Sequence, residues 1–527
     1  MGRLSDGVQA SDIAFMSVVG NHDLAEGPGE AAFRTYRRYL GPERYPFDIG
    51  SWHFLIRDNW MDLQQQRDWI AYLRSSEVTS GTYLIETSLG EEVASGALVR
   101  DGTWTWRASP QVTFPPEDAY EIEITVTDDK GILRSVEGSF QFGGQQGPAV
   151  GLASDWPQFG GGAARGGCSP DTVAPPFALS WVSDTHGDLD FSSPVLKQGT
   201  IYVGVGNFDE LTTNHGVIAL DAASGAENWF FVTDTLVRHS VAVDGSAVYA
   251  VAQGGSVYAL DPVAGTEIWR AENGTSLVRW QNGAPALFGG TVYVGTPGRL
   301  AAFDSTTGAE DWGVVVNVVG DFHACAASPA TDGAALMLRD SGANCQLRHH
   351  SAADGSTVRT WPASTSYSSP TISGNLVIYP TAIQCLAFDI GTGGLEWEYT
   401  FSGGYTPATT PAVSGDTVVF GSGNGQVIAL DVNTGAERWV FRTGAANLVL
   451  TANALTGMSL VGAPTISGNV VYVGSADGKL YALDLAFGTE LWSHDFGVPI
   501  VSAPCISGNT LFLTAYDGHV YAFTASP

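Results

Sequence analysis

Lysine is almost missing from this chain: of its 24 basic residues only Lys130, Lys197 and Lys479 are lysines, against 54 acidic ones. The resulting net charge of −30, with pI near 4.4, leaves no basic patch to attract nucleic acid or an anionic membrane, so neither is an expected partner. No run of ~18 apolar residues occurs, so no membrane-spanning helix is expected. The five cysteines (168, 325, 345, 385 and 505) include no CxxC pair, which excludes the usual zinc and dithiol motifs. Residues 1–12, MGRLSDGVQASD, lack the basic and apolar regions of a signal peptide. Strand-like sequence follows at once, and the true start is expected upstream.

Glycine and tryptophan are abundant instead. Sixty-five glycines and 15 tryptophans in 527 residues, with only 15% charged residues, predict a turn-rich, mainly β protein. At ~100–200 residues per domain the length allows several cores.

An internal repeat organises most of the chain. VIALDAASGAENW (217–229) returns as VYALDPVAGTEIW (257–269), LAAFDSTTGAEDW (300–312), CLAFDIGTGGLEW (385–397), VIALDVNTGAERW (427–439) and LYALDLAFGTELW (480–492). Asp, Gly and Trp keep offsets of 0, 4 and 8 in all six copies, placing Trp229, Trp269, Trp312, Trp397, Trp439 and Trp492 at one structural position. Asp221, Asp261 and Asp304, then Asp389 and Asp431, step by about 40 to 43 residues, the size of a four-stranded propeller blade. Period-two alternation and Ser-Gly or Asp-Gly turns give four short strands per unit and exclude a helical solenoid. Blades ending at Trp229, Trp269, Trp312, Trp361, Trp397, Trp439 and Trp492 make seven. Three strands in 503–524, joined by FALSWVSD (177–184), make an eighth. In the fourth, LRHHSAADGSTVRTW keeps a Trp but breaks the Asp-Gly spacing.

The AxDxxxGxxxW pattern resembles the tryptophan-docking repeats of pyrroloquinoline-quinone-type propellers over about 350 residues, and DWPQFGGGAARGG (155–167) resembles that family's lead-in. The family includes eight-bladed quinoprotein alcohol dehydrogenases and an outer-membrane assembly lipoprotein that is a binding scaffold. Its dehydrogenases resemble one another in a vicinal Cys-Cys pair and in acidic or amide calcium ligands. No two cysteines are adjacent here, so no quinone is expected and each repeat Trp is read as a wedge between blades.

Ahead of the propeller, MSVVGNHD (16–23) is an apolar strand-like run emptying into Gly20, Asn21, His22 and Asp23. With 33–59 and QQQRDWIAYL (64–73), it resembles the calcineurin-like metallophosphoesterases of the purple-acid-phosphatase branch. The resemblance implies that Asn21 ligates one metal and His22 faces the phosphate. Two cations ~4 Å apart need several more ligands. The family's Asp-x-His and Gly-Asp-x-x-Asp motifs do not fit into 19 preceding residues, and no histidine lies between His53 and His186. The segment therefore reads as a remnant, holding a divalent metal pair only if the missing motifs are supplied elsewhere, and no phosphatase activity is expected of the chain as it stands. SDTHGD (183–188) matches the family's first motif but sits where every blade has its loop. Residues 80–143 alternate at period two and resemble bacterial immunoglobulin-like modules, and GGQQGPAVGLAS (143–154) reads as a flexible linker.

The expected organisation is a partial α/β metallophosphoesterase segment (1–78), an immunoglobulin-like β-sandwich (79–143), linker and lead-in (144–176), and an eight-bladed β-propeller (177–527). Loops entering the inner strands share a face in a propeller, so Arg238, His239, Arg279, Trp280, His323, Tyr367 and Tyr405 are expected at the central mouth. Aromatic and cationic groups in a funnel suit a protein, peptide or glycan ligand. Cys325 and Cys345 fall in loops of the same face in the fourth blade and are candidates for a disulfide. The leading functional expectation is a monomeric, non-enzymatic propeller scaffold outside the cytoplasm, extracellular or periplasmic. The alternatives are a metal-dependent phosphohydrolase completed by motifs outside the chain, and a quinone-dependent oxidoreductase.

Overall fold

The computed structural model describes the strands 44–49 and 52–57, then 78–87, 90–100, 106–107, 119–128 and 133–141. From 149 to 525 it describes all residues except 188, 190, 207–213, 275–282, 297, 317–327, 340–345, 364–367, 402–408, 445–460 and 497–498. The chain divides into two compact units, 1–147 with 447–457, and 148–446 with 458–527.

In the first unit Arg44–Ile49 pairs antiparallel with Trp52–Arg57 across a two-residue connection. Asn21, His22 and the 64–73 segment lie outside the described residues. Further on, Glu92–Ala97, Val78–Thr87, Ala119–Asp128 and Leu133–Gln141 form one antiparallel sheet in that order. Tyr83 and Ile85 alternate with less buried neighbours and are buried together with Ile124 and Val126, so one face of the sheet is buried. A short pair, Val99–Arg100 with Trp106–Arg107, accompanies it.

The second unit is a β-propeller. Its described residues form successive antiparallel sheets of four strands spanning 195–232, 242–272, 286–315, 330–362, 371–400, 412–442 and 465–495, the seventh of these extended by Cys168–Ser169 as a fifth, parallel strand. The last sheet is built from both ends of the unit, with Phe177–Asp184 lying beside His519–Ala525, then Thr510–Thr514 and Cys505–Ser507. Joining the ends in one sheet covers His519–Ala525 on both sides, so the last strand of the chain is not an edge. The sheets are numbered here first to eighth in chain order.

The Asp-Gly-Trp repeat has a local cause at each position. The Asp closes the turn before the outer strand: Oδ1 of Asp261 accepts from Val263 N (2.9 Å) and Ala264 N (2.7 Å), and Asp431, Asp484 and Asp304 do the same. Four residues on, the chain must turn left-handed, with φ from 67° to 79° at Gly265, Gly308, Gly393, Gly435 and Gly488. Except at Gly393, where Arg359 takes its place, the preceding sheet's Trp lies against that glycine. A Cβ on Gly265 would sit 2.6 Å from the Trp229 ring, and one on Gly488 would sit 2.5 Å from Trp439. The Trp Nε1–H then donates to the carbonyl one residue after the next sheet's Asp: Trp229 to Pro262 (3.1 Å), Trp269 to Ser305 (2.9 Å), Trp397 to Val432 (2.8 Å) and Trp439 to Leu485 (2.8 Å). Trp181 repeats the pattern on Ala222 (3.0 Å).

The fourth sheet solves the same problem with different residues. By strand register Ser351 stands at the Asp position, Gly355 at the Gly position and Arg359 at the Trp position. Arg359 Nη1 donates to Ile390 O (3.2 Å), the carbonyl after Asp389 that a Trp would otherwise reach. Trp361, two residues further along the strand, donates instead to Gly393 O (3.0 Å) and stacks on Phe388. The Trp that ends the fourth repeat is therefore not at the repeat's Trp position, which explains its shifted spacing.

Apolar clusters fill the gaps between neighbouring sheets, among them Val195, Tyr202 and Trp229 with Val248 and Tyr258, or Trp439 and Val419 with Val471 and Leu483. The eighth sheet packs on the first through Trp181, Phe512 and Ile201, and on the seventh through the rings of Phe523, Phe496 and Trp492. First strands of successive sheets touch one another, which places them innermost.

Candidate functional site

The entry loops of the inner strands are stitched to one another around the axis. Ala503 N donates to Ser193 Oγ (2.7 Å) and Ser193 N to Ser240 Oγ (2.8 Å). Ala284 N donates to Ser328 Oγ (2.9 Å) and Ser328 N to Ser369 Oγ (2.9 Å). Each pair joins neighbouring sheets, so serine hydroxyls satisfy backbone donors that have no ladder partner there.

His239 stands in this ring and reaches across it. Its Nδ1 accepts from Ser240 N at 2.8 Å, which leaves the proton on Nε2, 3.4 Å from Ser328 Oγ of the fourth sheet's entry loop. Its ring meets Phe159 edge-on at 5.0 Å between centroids. Burial, then the nearby Arg165 charge, push its pKa down to about 3. The imidazole is thus neutral at ordinary pH and presents a fixed N–H, not the positive charge expected of a cationic mouth. Arg238, its neighbour, is half-buried and engaged in contacts of its own.

Arg165 was not a sequence candidate. It is fully buried (0% exposed) and donates only to backbone carbonyls: Nη1 to Phe159 O (2.7 Å), Nη2 to Ala284 O (3.1 Å) and Pro285 O (2.9 Å), and Nε to Pro329 O (3.2 Å). Burial lowers its pKa to about 9. Beside it Phe159 packs with Ala284, Ala463 and Ala503, alanines that enter three different sheets, so that Phe159 fills the centre. The signal available in sequence was a single Arg among the glycines of GGGAARGG.

Of the expected mouth residues the structure places His239 at the axis, and Arg238 is its neighbour in the chain. Arg279, Trp280, His323, Tyr367 and Tyr405 lie outside the described residues, as do Cys325 and Cys345. Cys168, Cys385 and Cys505 are free thiols, and burial raises the pKa of Cys385 and of Cys505. Among the described residues no three His, Cys, Asp or Glu side chains are grouped to hold a metal ion. His186, within SDTHGD, pairs with Glu227 (2.6 Å) on the surface. Nor is any helix among them long and apolar enough to cross a membrane.

The neutrality of His239 has a measurable consequence. Its native pKa lies below the ordinary ~6.5, so from about pH 6.5 down towards 3 the unfolded chain binds one more proton at this residue. Stability contributed by the neutral ring is full above that window and is lost as pH falls through it. Urea midpoints between pH 7 and 4.5 are expected to fall less steeply for His239→Gln than for the parent. Identical slopes would show that His239 titrates freely.

The repeat geometry and the closed axis define the class of protein, a propeller of pyrroloquinoline-quinone-like repeats. The family model described as outer membrane protein assembly factor BamB matches residues 177–328, 324–448 and 442–526, and the chain belongs to that family. A serine/threonine-protein kinase AfsK of Streptomyces griseus is 29% identical over 233 residues, 44% of this chain and 23% of the kinase. The chain thus spans about a quarter of that curated relative. BamB from Moraxella catarrhalis superposes with a TM-score of 0.52 at 18% identity, covering 66% of this chain and 100% of that one. Quinohemoprotein alcohol dehydrogenase from Comamonas testosteroni gives 0.56 at 16% identity, covering 71% and 81%. Likeness at that identity concerns the fold.

Proposed function

We propose that the chain is an extracytoplasmic binding scaffold, an eight-bladed propeller that holds a protein, peptide or glycan partner at its mouth. The observation that carries this reading is the axis itself: the chain's own Phe159, Arg165 and His239 occupy it, leaving the surface loops around the mouth as the place to bind. The family's description as an outer membrane assembly factor supports both the scaffold role and a site beyond the cytoplasm. Arg279, Trp280, His323, Tyr367 and Tyr405, read from the sequence as loop positions, are the proposed partner contacts. The strongly acidic chain favours partners carrying positive charge. The N-terminal segment is read as metallophosphoesterase-like on the motif around Asn21 and His22, followed by an immunoglobulin-like spacer.

A quinone does not fit the residues present. The chain offers no vicinal cysteines, and among the described residues the carboxylates form no metal-binding group and the fully buried Arg165 is committed to four carbonyls.

Selection of the full chain against a displayed peptide library and a printed glycan array tests the proposal. Binders are expected whose affinity falls at least about tenfold, ~1.4 kcal/mol, in the Arg279→Glu, Tyr405→Ala double variant. Binders indifferent to every mouth substitution would place the site elsewhere.

A further inference from the structure

The stretch from Gly151 to Asp171 visits the first strand of every sheet in ring order. At the eighth sheet Gly151 O accepts from Asn509 N (3.0 Å) and Ser154 O from Ser507 Oγ (2.6 Å). Trp156 and Leu196 exchange two backbone bonds (2.9 and 2.8 Å) at the first, and Pro157 O accepts from Val243 N (2.8 Å) at the second. The Gln158 side chain bonds both backbone groups of Leu287 (2.8 and 3.1 Å) at the third. After the turn at 160–162, Ala163 O accepts from Thr331 N (2.9 Å), Ala164 O from Ile372 N (2.9 Å), Gly166 O from Val413 N (2.8 Å) and Gly167 O from Ile466 N (2.8 Å), serving the fourth to seventh sheets. Cys168–Ser169 then pairs in parallel with the seventh sheet's first strand.

The path ends where it began. Asp171 Oδ2 accepts from Ser154 N (3.1 Å), Ser154 Oγ (2.5 Å) and Gly508 N (2.7 Å), fastening the segment's two ends together at the eighth sheet. Those hydrogen bonds hold the Asp171 carboxyl below its ordinary pKa although burial opposes them.

We infer that residues 151–171 are a strap that closes the propeller from inside, with Arg165 tying it to the third and fourth sheets and Asp171 fastening its ends. Inner strands of a propeller present backbone N–H groups that lack a ladder partner, and an unpaired buried N–H is costly. The strap supplies the missing carbonyls, one sheet after another. Close approach requires its glycines: a Cβ on Gly167, where φ is 63°, would lie 2.7 Å from the Ala412 Cβ. Arg165 is a buried cation without a carboxylate, an expensive arrangement whose return is geometric, as one guanidinium holds the strap's own Phe159 carbonyl and the entry loops of two sheets. Closure is then double: the terminal strand Phe177–Asp184 joins the ring at its rim, and the strap joins it at the axis.

A strap acting as one body predicts that the amides it satisfies open together. Native-state hydrogen exchange on the full chain in low denaturant should give Val243, Thr331, Ile372, Val413 and Ile466 one common opening isotherm. In Arg165→Met all five should exchange about tenfold faster or more, including Val413 and Ile466, whose sheets Arg165 does not touch. Five separate isotherms, or acceleration confined to the neighbourhood of 284–285 and 329, would overturn the inference. Should Arg165→Met fail to fold, the isotherms of the unmodified chain decide alone.

Discussion

Trp439→Ala is expected to destabilise the propeller by ~3–5 kcal/mol, the cost of emptying a large aromatic site. The ring is 7% exposed and lies between Val419 and Val427 of the sixth sheet and Val471 and Leu483 of the seventh. Its Nε1–H bond to Leu485 O, 2.8 Å long, disappears with it and leaves that carbonyl to find water. The loss joins two sheets, so it should appear as a lower urea midpoint with no loss of far-ultraviolet strand signal below the transition. A melting midpoint within a degree of the parent would show that the ring contributes no packing between sheets.

Gly488→Ala is expected to cost about 2–4 kcal/mol for two separable reasons. Its φ of 69° is strained for any residue with a Cβ, worth about 1 kcal/mol, and the added carbon would stand 2.5 Å from the Trp439 ring. Removing the ring removes the second reason. In a Trp439→Ala background the same substitution should therefore cost only about 1 kcal/mol, and the double-mutant cycle should show a coupling of more than 1 kcal/mol. Additive effects would mean that the glycine is required by backbone geometry alone.

That coupling also explains why so much of the fold could be read in the residues. Asp closes its turn two and three residues on, Gly supplies the left-handed backbone four on, and Trp docks eight on, so all three roles lie within one short stretch and recur. Period two along VYALD or VIALD fixed which residues face a neighbouring sheet. The pairing of FALSWVSD with the last strand was legible because 503–524 shows three strands where every other unit shows four.

What escaped reading depends on distance in sequence. Arg359 replaces a Trp by reaching the same Ile390 carbonyl with a guanidinium, an equivalence of hydrogen bonding that residue type conceals. The strap's partners lie as far as about 350 residues away, and GGGAARGG carries no periodic pattern to announce them. His239 is legible as a mouth residue from its position in a loop, but its neutrality comes from burial and from the charge of Arg165, 74 residues away in the chain. The remaining mouth residues, and Asn21 and His22, were named from loop position and family motif and rest on those grounds.

The propeller is proposed to bind without redox chemistry. Calorimetric titration of the full chain with pyrroloquinoline quinone and calcium, followed by dye-linked assay with primary alcohols, tests it most directly. The expected result is no saturable quinone binding and no alcohol-dependent dye reduction. Stoichiometric binding accompanied by turnover would contradict it.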